Sequence, residues 1–83
     1  MKPLEINALT YSILHLLKND EFSVRDYAQH AFGHLLPLLD AKVLRLCEQH
    51  LINCVKLIHD ELVLKSVLAA FRALIQQAKE KDF

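Results

Sequence analysis

The chain has 83 residues, ten acidic and ten basic side chains, and a composition that is 53% hydrophobic. This length allows one helical domain over residues 1–83, and two cysteines are too few for a disulfide framework, so we expect a soluble cytoplasmic protein with reduced thiols. No apolar run approaches the ~20 residues of a membrane span, and the neutral charge balance provides no bulk attraction to nucleic acid or to anionic membranes.

Scarce glycine and proline, with apolar side chains at spacings of three and four, predict an all-α fold. The four helices are expected at about 4–18, 23–36, 41–58 and 61–78. Ser23 is the expected cap of the second helix, in the sequence SVRD, and Pro37 ends it. Asp40 and Asp60 are the expected caps of the third and fourth helices. A two-residue jump in the apolar ladder separates these two helices, and one unbroken helix over 41–78 is the alternative.

The second and fourth predicted helices share an apolar pattern when the chain is shifted by 39 residues. Val24, Ala28, Ala31, Phe32 and Leu35 then fall on Val63, Val67, Ala70, Phe71 and Leu74. The same shift places Ile13 on Ile52 and Leu16 on Val55. Because Ala-Phe recurs at the same phase, the pattern predicts an internal repeat, with chance in a leucine-rich chain as the competing explanation.

The segment that begins at Ser23 resembles the first helix of a HEAT repeat, whose usual form is V-R-x-x-A-x-x-A-L-G-x-L. It matches at Val24, Arg25, Ala28, Ala31, Phe32, Gly33 and Leu35, with Phe32 in place of leucine. The second copy departs from the pattern, with Leu64 where arginine is usual and Arg72 where glycine is usual. The resemblance implies antiparallel helix pairs that bind other proteins through the second helix of each pair. Four helices make about two such pairs, or a compact helical bundle, and arrays usually need three or more repeats, which favours self-association.

The segment CEQHLINC places Cys47, His50 and Cys54 along one side of the third helix. The two cysteines lie about 10.5 Å apart along the helix axis, which is too far for a disulfide or for one metal ion to join both. A helical projection places all three residues within the apolar face. We therefore expect buried packing, with a hydrogen-bond partner for His50.

A second group of possible metal ligands lies in the segment HAFGH. His30 and His34 are four residues apart, and Asp26 lies one turn earlier on the same row of the helix. The zinc-protease form H-E-x-x-H is absent, because Ala31 takes the position of the glutamate. A surface or interface pair is the favoured interpretation, and no metal or cofactor is predicted.

The sequence carries no catalytic signature, since G-x-S-x-G, C-x-x-C and a glycine-rich phosphate loop are missing, so we expect no enzyme activity. The apolar excess predicts an exposed patch, and the favoured function is a protein–protein interaction or adaptor module that also self-associates, most simply as a homodimer. By the HEAT resemblance, a polar stripe on the third helix faces the partner: Lys42, Arg45, Gln49 and Lys56. The alternative is a helix-turn-helix DNA-binding regulator in which this stripe enters the major groove, although neutral charge makes nucleic acid the less favoured partner.

Overall fold

Four α-helices joined by short connections make up the computed structural model, which describes residues 2–80. They are α1 (Pro3–Leu16), α2 (Phe22–Leu35), α3 (Ala41–Leu57) and α4 (Glu61–Glu80), and a 3-10 turn over Leu36–Leu38 follows α2. No strand occurs within the described residues. The predicted all-α class is therefore confirmed, and each helix boundary lies within two residues of the predicted one.

The starts of α3 and α4 are set by aspartate caps. Asp40 Oδ1 accepts a hydrogen bond from the Val43 N–H at 2.9 Å. Asp60 Oδ1 accepts one from the Leu62 N–H at 2.8 Å, and the Asp60 carbonyl accepts the first bond of the helix. Each carboxylate satisfies an N–H that has no partner inside the helix. Both predicted caps and the predicted break near residue 60 are confirmed, so 41–78 is two helices.

The cap predicted for α2 at Ser23 is wrong. The helix begins one residue earlier, at Phe22, so that Ser23 lies inside the first turn and Glu21 takes the cap position without a side-chain hydrogen bond. Asn19 supplies the local order instead, because its Oδ1 accepts a hydrogen bond from the Glu21 N–H at 2.9 Å. An Asx turn of this kind closes the connection before the helix starts and leaves Ser23 with no capping role.

The helices pack as two pairs that meet through α2 and α4. α1 lies against α2 and α3 against α4, and α1 and α3 make fewer contacts with each other. Each pair is antiparallel, because connections as short as 17–21 and 58–60 reverse the chain. One core lies between the pairs, and its largest fully buried side chains are Phe32, Leu14, Leu17, Leu39, Leu44, Leu51 and Leu74. The HEAT-like repeat stays a prediction, because helix pairs also pack in this way in ordinary bundles.

Within residues 2–80, the helices fall short of the combination of length and apolar character that crossing a membrane requires.

Candidate interaction surfaces

The two cysteines lie on the inner face of α3, as the projection predicts. Cys47 is fully buried, Cys54 is almost so, and both are free thiols. Burial raises the pKa of the Cys47 thiol to about 11. A thiol that stays protonated at neutral pH is a poor nucleophile and a poor metal ligand. Cys47 and Cys54 therefore contribute by packing in the core.

His50 is half-buried on the same face and packs against α1. Its ring meets the edge of the His15 ring, with 6.0 Å between ring centroids. The hydrogen-bond partner predicted for it is not found within residues 2–80, where its buried Nε2 has none. The pKa of His50 is lowered, first by its burial and then by the nearby charges of Lys18 and His15. The neutral ring is therefore the form that the folded protein favours.

We expect the stability of the protein to fall as the pH drops from about 7 towards 5, because an unfolded histidine takes up its proton near pH 6.5. The folded protein holds the pKa of His50 below that value, so the unfolded chain binds more protons in this window. Replacing His50 with leucine should flatten the pH dependence of the urea midpoint. His59→Gln, at an exposed site in connection 58–60, is the control and should leave that dependence unchanged. An unchanged slope in His50→Leu would contradict the assignment.

The histidine pair on α2 lies at the surface. His30 and His34 are exposed, and His30 Nδ1 lies 2.8 Å from the Asp26 carbonyl oxygen and 3.7 Å from its carboxylate. A carbonyl oxygen only accepts, so this Nδ1 carries the proton and is not a metal-binding nitrogen. Among residues 2–80, no group of three or more histidine, cysteine, aspartate or glutamate side chains is arranged to hold a metal ion.

The predicted partner-facing stripe is exposed along its whole length but is divided in two. Lys42 and Arg45 lie beside Ala41 and Leu46 around a shallow depression of about 400 Å³, called the basic depression below. Lys56 lies 14 residues from Lys42, which is about 21 Å along the helix axis. Spacings of three and four place Lys42, Arg45 and Gln49 along one exposed row of α3, but only Lys42 and Arg45 of the four stripe residues line the depression.

The other two stripe residues have different surroundings. Gln49 donates a hydrogen bond to Asn53 Oδ1 at 3.2 Å, one turn further along the exposed side of α3. Lys56 lies at the edge of a second surface feature between α3 and α4. These two side chains are therefore not part of the basic depression.

That second feature is an open groove of about 260 Å³, lined by Ile52, Val55, Lys56, Leu68 and Phe71. Its exposed wall is almost wholly apolar, and we call it the apolar groove. Exposed Lys65 and Arg72 lie three residues before and four residues after Leu68 on α4. Spacings of three and four place these cations on the same face of the helix as Leu68. The groove is thus bordered by positive charge on both helices.

This groove was not predicted from the sequence, although one residue on the polar side of α3 indicated it. Ile52 is the one apolar residue on the polar half of the α3 projection, and in the structure it lines the groove. The α4 wall has no comparable signal, because Leu68 and Phe71 fit equally well into a core-facing stripe.

Comparisons with family models, with curated proteins and with solved structures find no match for this chain. The surface of the molecule itself is therefore the basis for inferring its function.

Proposed function

We propose that this protein is a small non-catalytic interaction module that binds another protein through the basic depression on α3. The observation that carries the proposal is the grouping of Lys42 and Arg45 beside Leu46, whose side chain is 50% exposed. Protein interfaces combine an apolar centre with a polar rim, and charge complementarity selects the partner. The expected partner presents carboxylates around an apolar side chain.

Two further features support this proposal. Eleven large apolar side chains are exposed within residues 2–80, and Leu46 is the one that lines the basic depression. The HEAT resemblance begins on α2 and thereby makes α3 the second, partner-facing helix, although α3 packs mainly on α4 in the structure. A rigid helix held by the core would then present the depression with little loss of backbone freedom on binding.

The helix-turn-helix alternative would use the same two cations to hold phosphates. In that motif, the recognition helix packs directly against the helix that precedes it. Here α2 makes its main contacts with α1 and α4, and α3 packs mainly on α4. This arrangement favours a protein partner, and DNA binding is kept as an outcome of the test.

The proposal is tested by capture from an extract of the cells that make this protein, with three baits compared by quantitative mass spectrometry. The wild type and Lys65→Glu/Arg72→Glu should retain a protein that Lys42→Glu/Arg45→Glu loses. That protein, once purified, should bind the wild type at least about tenfold more tightly than it binds Lys42→Glu/Arg45→Glu in calorimetry.

Two results would overturn the proposal. One is that every captured protein binds all three baits equally. The other is duplex DNA binding that falls steeply with salt and disappears in Lys42→Glu/Arg45→Glu, which would assign the two cations to phosphates.

A further inference from the structure

The two halves of this neutral chain carry opposite charge. Residues 1–40 contain three basic and five acidic side chains, a net charge of −2, and residues 41–83 contain seven basic and five acidic side chains, a net charge of +2. The halves correspond to the two helix pairs, α1 with α2 and α3 with α4. Each molecule therefore has one acidic and one basic pair of helices.

The negative charge of the first pair is concentrated where α2 begins. Asp20, Glu21 and Asp26 are exposed there beside Phe22 and Tyr27, which are 71% and 66% exposed, and we call these five residues the acidic aromatic patch. They include the two most exposed aromatic side chains within residues 2–80. The two rings therefore present exposed apolar area beside the three carboxylates.

Two cations lie near this patch in sequence, and neither is fully exposed. Arg25 is buried, and its Nη1 donates to the carbonyl oxygens of Asn19 and Asp20 at 2.7 and 2.8 Å. Lys18 is half-buried at the end of α1. The outward side of the patch is therefore acidic.

The apolar groove has the complementary character. Its walls are apolar, Leu68 is 43% exposed, and Lys56, Lys65 and Arg72 border it. Lys65 and Arg72 are seven residues apart, about 10.5 Å along the helix, so that a ring inserted between them would have a cation on either side. The nearest acids in sequence are Glu61, one turn before Lys65, and the half-buried Glu48, one turn before Ile52.

We propose that the acidic aromatic patch of one copy docks into the apolar groove of a second copy. Phe22, the more exposed of the two rings, would supply the apolar anchor, and the carboxylates beside it would face the cations that border the groove. Groove against groove would bring cations together and patch against patch would bring carboxylates together, so the contact joins two unlike surfaces. It forms either twice across the two-fold axis of a dimer or once per copy in a ring or chain.

This proposal uses residues other than those of the basic depression, so either proposal can fail without the other. The strength of the contact should fall with salt, because most of the charges involved lie at the surface.

Sedimentation velocity on the full chain tests the proposal. The wild type should associate increasingly up to about 1 mM, the range in which weak contacts are measured. Raising NaCl from about 50 to about 500 mM should weaken the association, since the Debye length shortens. Asp20→Lys/Asp26→Lys and Lys65→Glu/Arg72→Glu should each be monomeric alone. Mixed in equal amounts they should associate again, because the basic patch of the first variant meets the acidic groove of the second.

Two further variants keep the result interpretable. Phe22→Ser removes an exposed anchor that is not part of the core, so it should keep the wild-type circular dichroism spectrum and weaken association at least about tenfold. Lys42→Glu/Arg45→Glu changes the same number of charges elsewhere and should associate like the wild type. A wild type that is monomeric at every concentration would overturn the proposal, and so would folded charge variants that fail to associate when mixed.

Discussion

Replacing Phe32 with alanine is expected to lower the free energy of unfolding by about 3–5 kcal/mol, the usual range for a buried phenylalanine. Phe32 is fully buried and is the largest side chain in the core. A domain of this size has a total stability on the order of 4–12 kcal/mol, taking roughly 0.05–0.15 kcal/mol per residue. The substitution therefore removes a large share of the stability. Urea denaturation followed by far-UV circular dichroism measures the loss.

Phe71→Ala is the matched control, because the shift of 39 residues makes Phe71 the counterpart of Phe32. In the structure Phe71 is only half-buried and lines the apolar groove, so its loss should be roughly half that of Phe32→Ala or less. Phe22→Ala, at a site that is 71% exposed, should change stability by no more than about 0.5 kcal/mol. Equal losses at Phe32 and Phe71 would show that the core does not lie where the structure places it.

What could be predicted from the sequence is mostly local. The caps at Asp40 and Asp60 depend on one side chain and the N–H groups two or three residues later, and both were predicted correctly. The cap at Ser23 was wrong because the hydrogen bond of Asn19 to the Glu21 N–H, four residues ahead of the expected helix start, closes the turn first. A capping pattern read by itself does not include competition from the preceding turn.

The predicted repeat shows the limit of comparing the chain with itself at one fixed shift. A shift of 39 relates α2 to α4, and Ala28 with Val67 and Leu35 with Leu74 are buried in both copies. Buried positions on α1 and α3 correspond at a shift of 37 instead, which pairs Thr10, Leu14 and Leu17 with Cys47, Leu51 and Cys54. The connections do not account for this difference, because the second pair has two more residues between corresponding positions but a connection of three residues at 58–60 against five at 17–21. A single shift therefore paired buried Ile13 with half-buried Ile52.

The surface features also divide into those that follow from one helix and those that depend on how helices pack. The exposed stripe on α3 follows from the projection of one helix, and its four residues are exposed. The apolar groove depends on how two helices are placed side by side, since Ile52 and Val55 come from α3 and Leu68 and Phe71 from α4. The packing angle of a helix pair is decided by side chains across the whole contact, and a pattern within either helix does not contain it.

Arg25→Met is expected to lower the free energy of unfolding by about 1.5–3 kcal/mol, the range for losing hydrogen bonds to a charged group. The guanidinium of Arg25 is buried and donates to the carbonyl oxygens of Asn19 and Asp20 in the first connection. Methionine replaces the aliphatic part of the side chain but has no donor for either oxygen. Arg25→Lys keeps the charge without the planar fork and should lose less. Urea denaturation measures both, and a Met variant as stable as the wild type would contradict this role.

Leu64 is the position in α4 that corresponds to Arg25 at a shift of 39 residues, and the two connections explain why an arginine is needed only once. Connection 17–21 has two more residues than connection 58–60. Its carbonyl groups lie past the end of α1, where the hydrogen bonds of that helix no longer use them. Arg25 supplies donors to two of them, whereas the shorter connection is closed by Asp60, and half-buried Leu64 stands at the corresponding position. Leu64→Arg should therefore bring no stability, since Asp60 already closes connection 58–60 and the guanidinium would replace a half-buried leucine. Leu64 stands where the V-R pattern has arginine, and in this view that departure follows from the shorter connection 58–60. Arg25 itself stabilises connection 17–21.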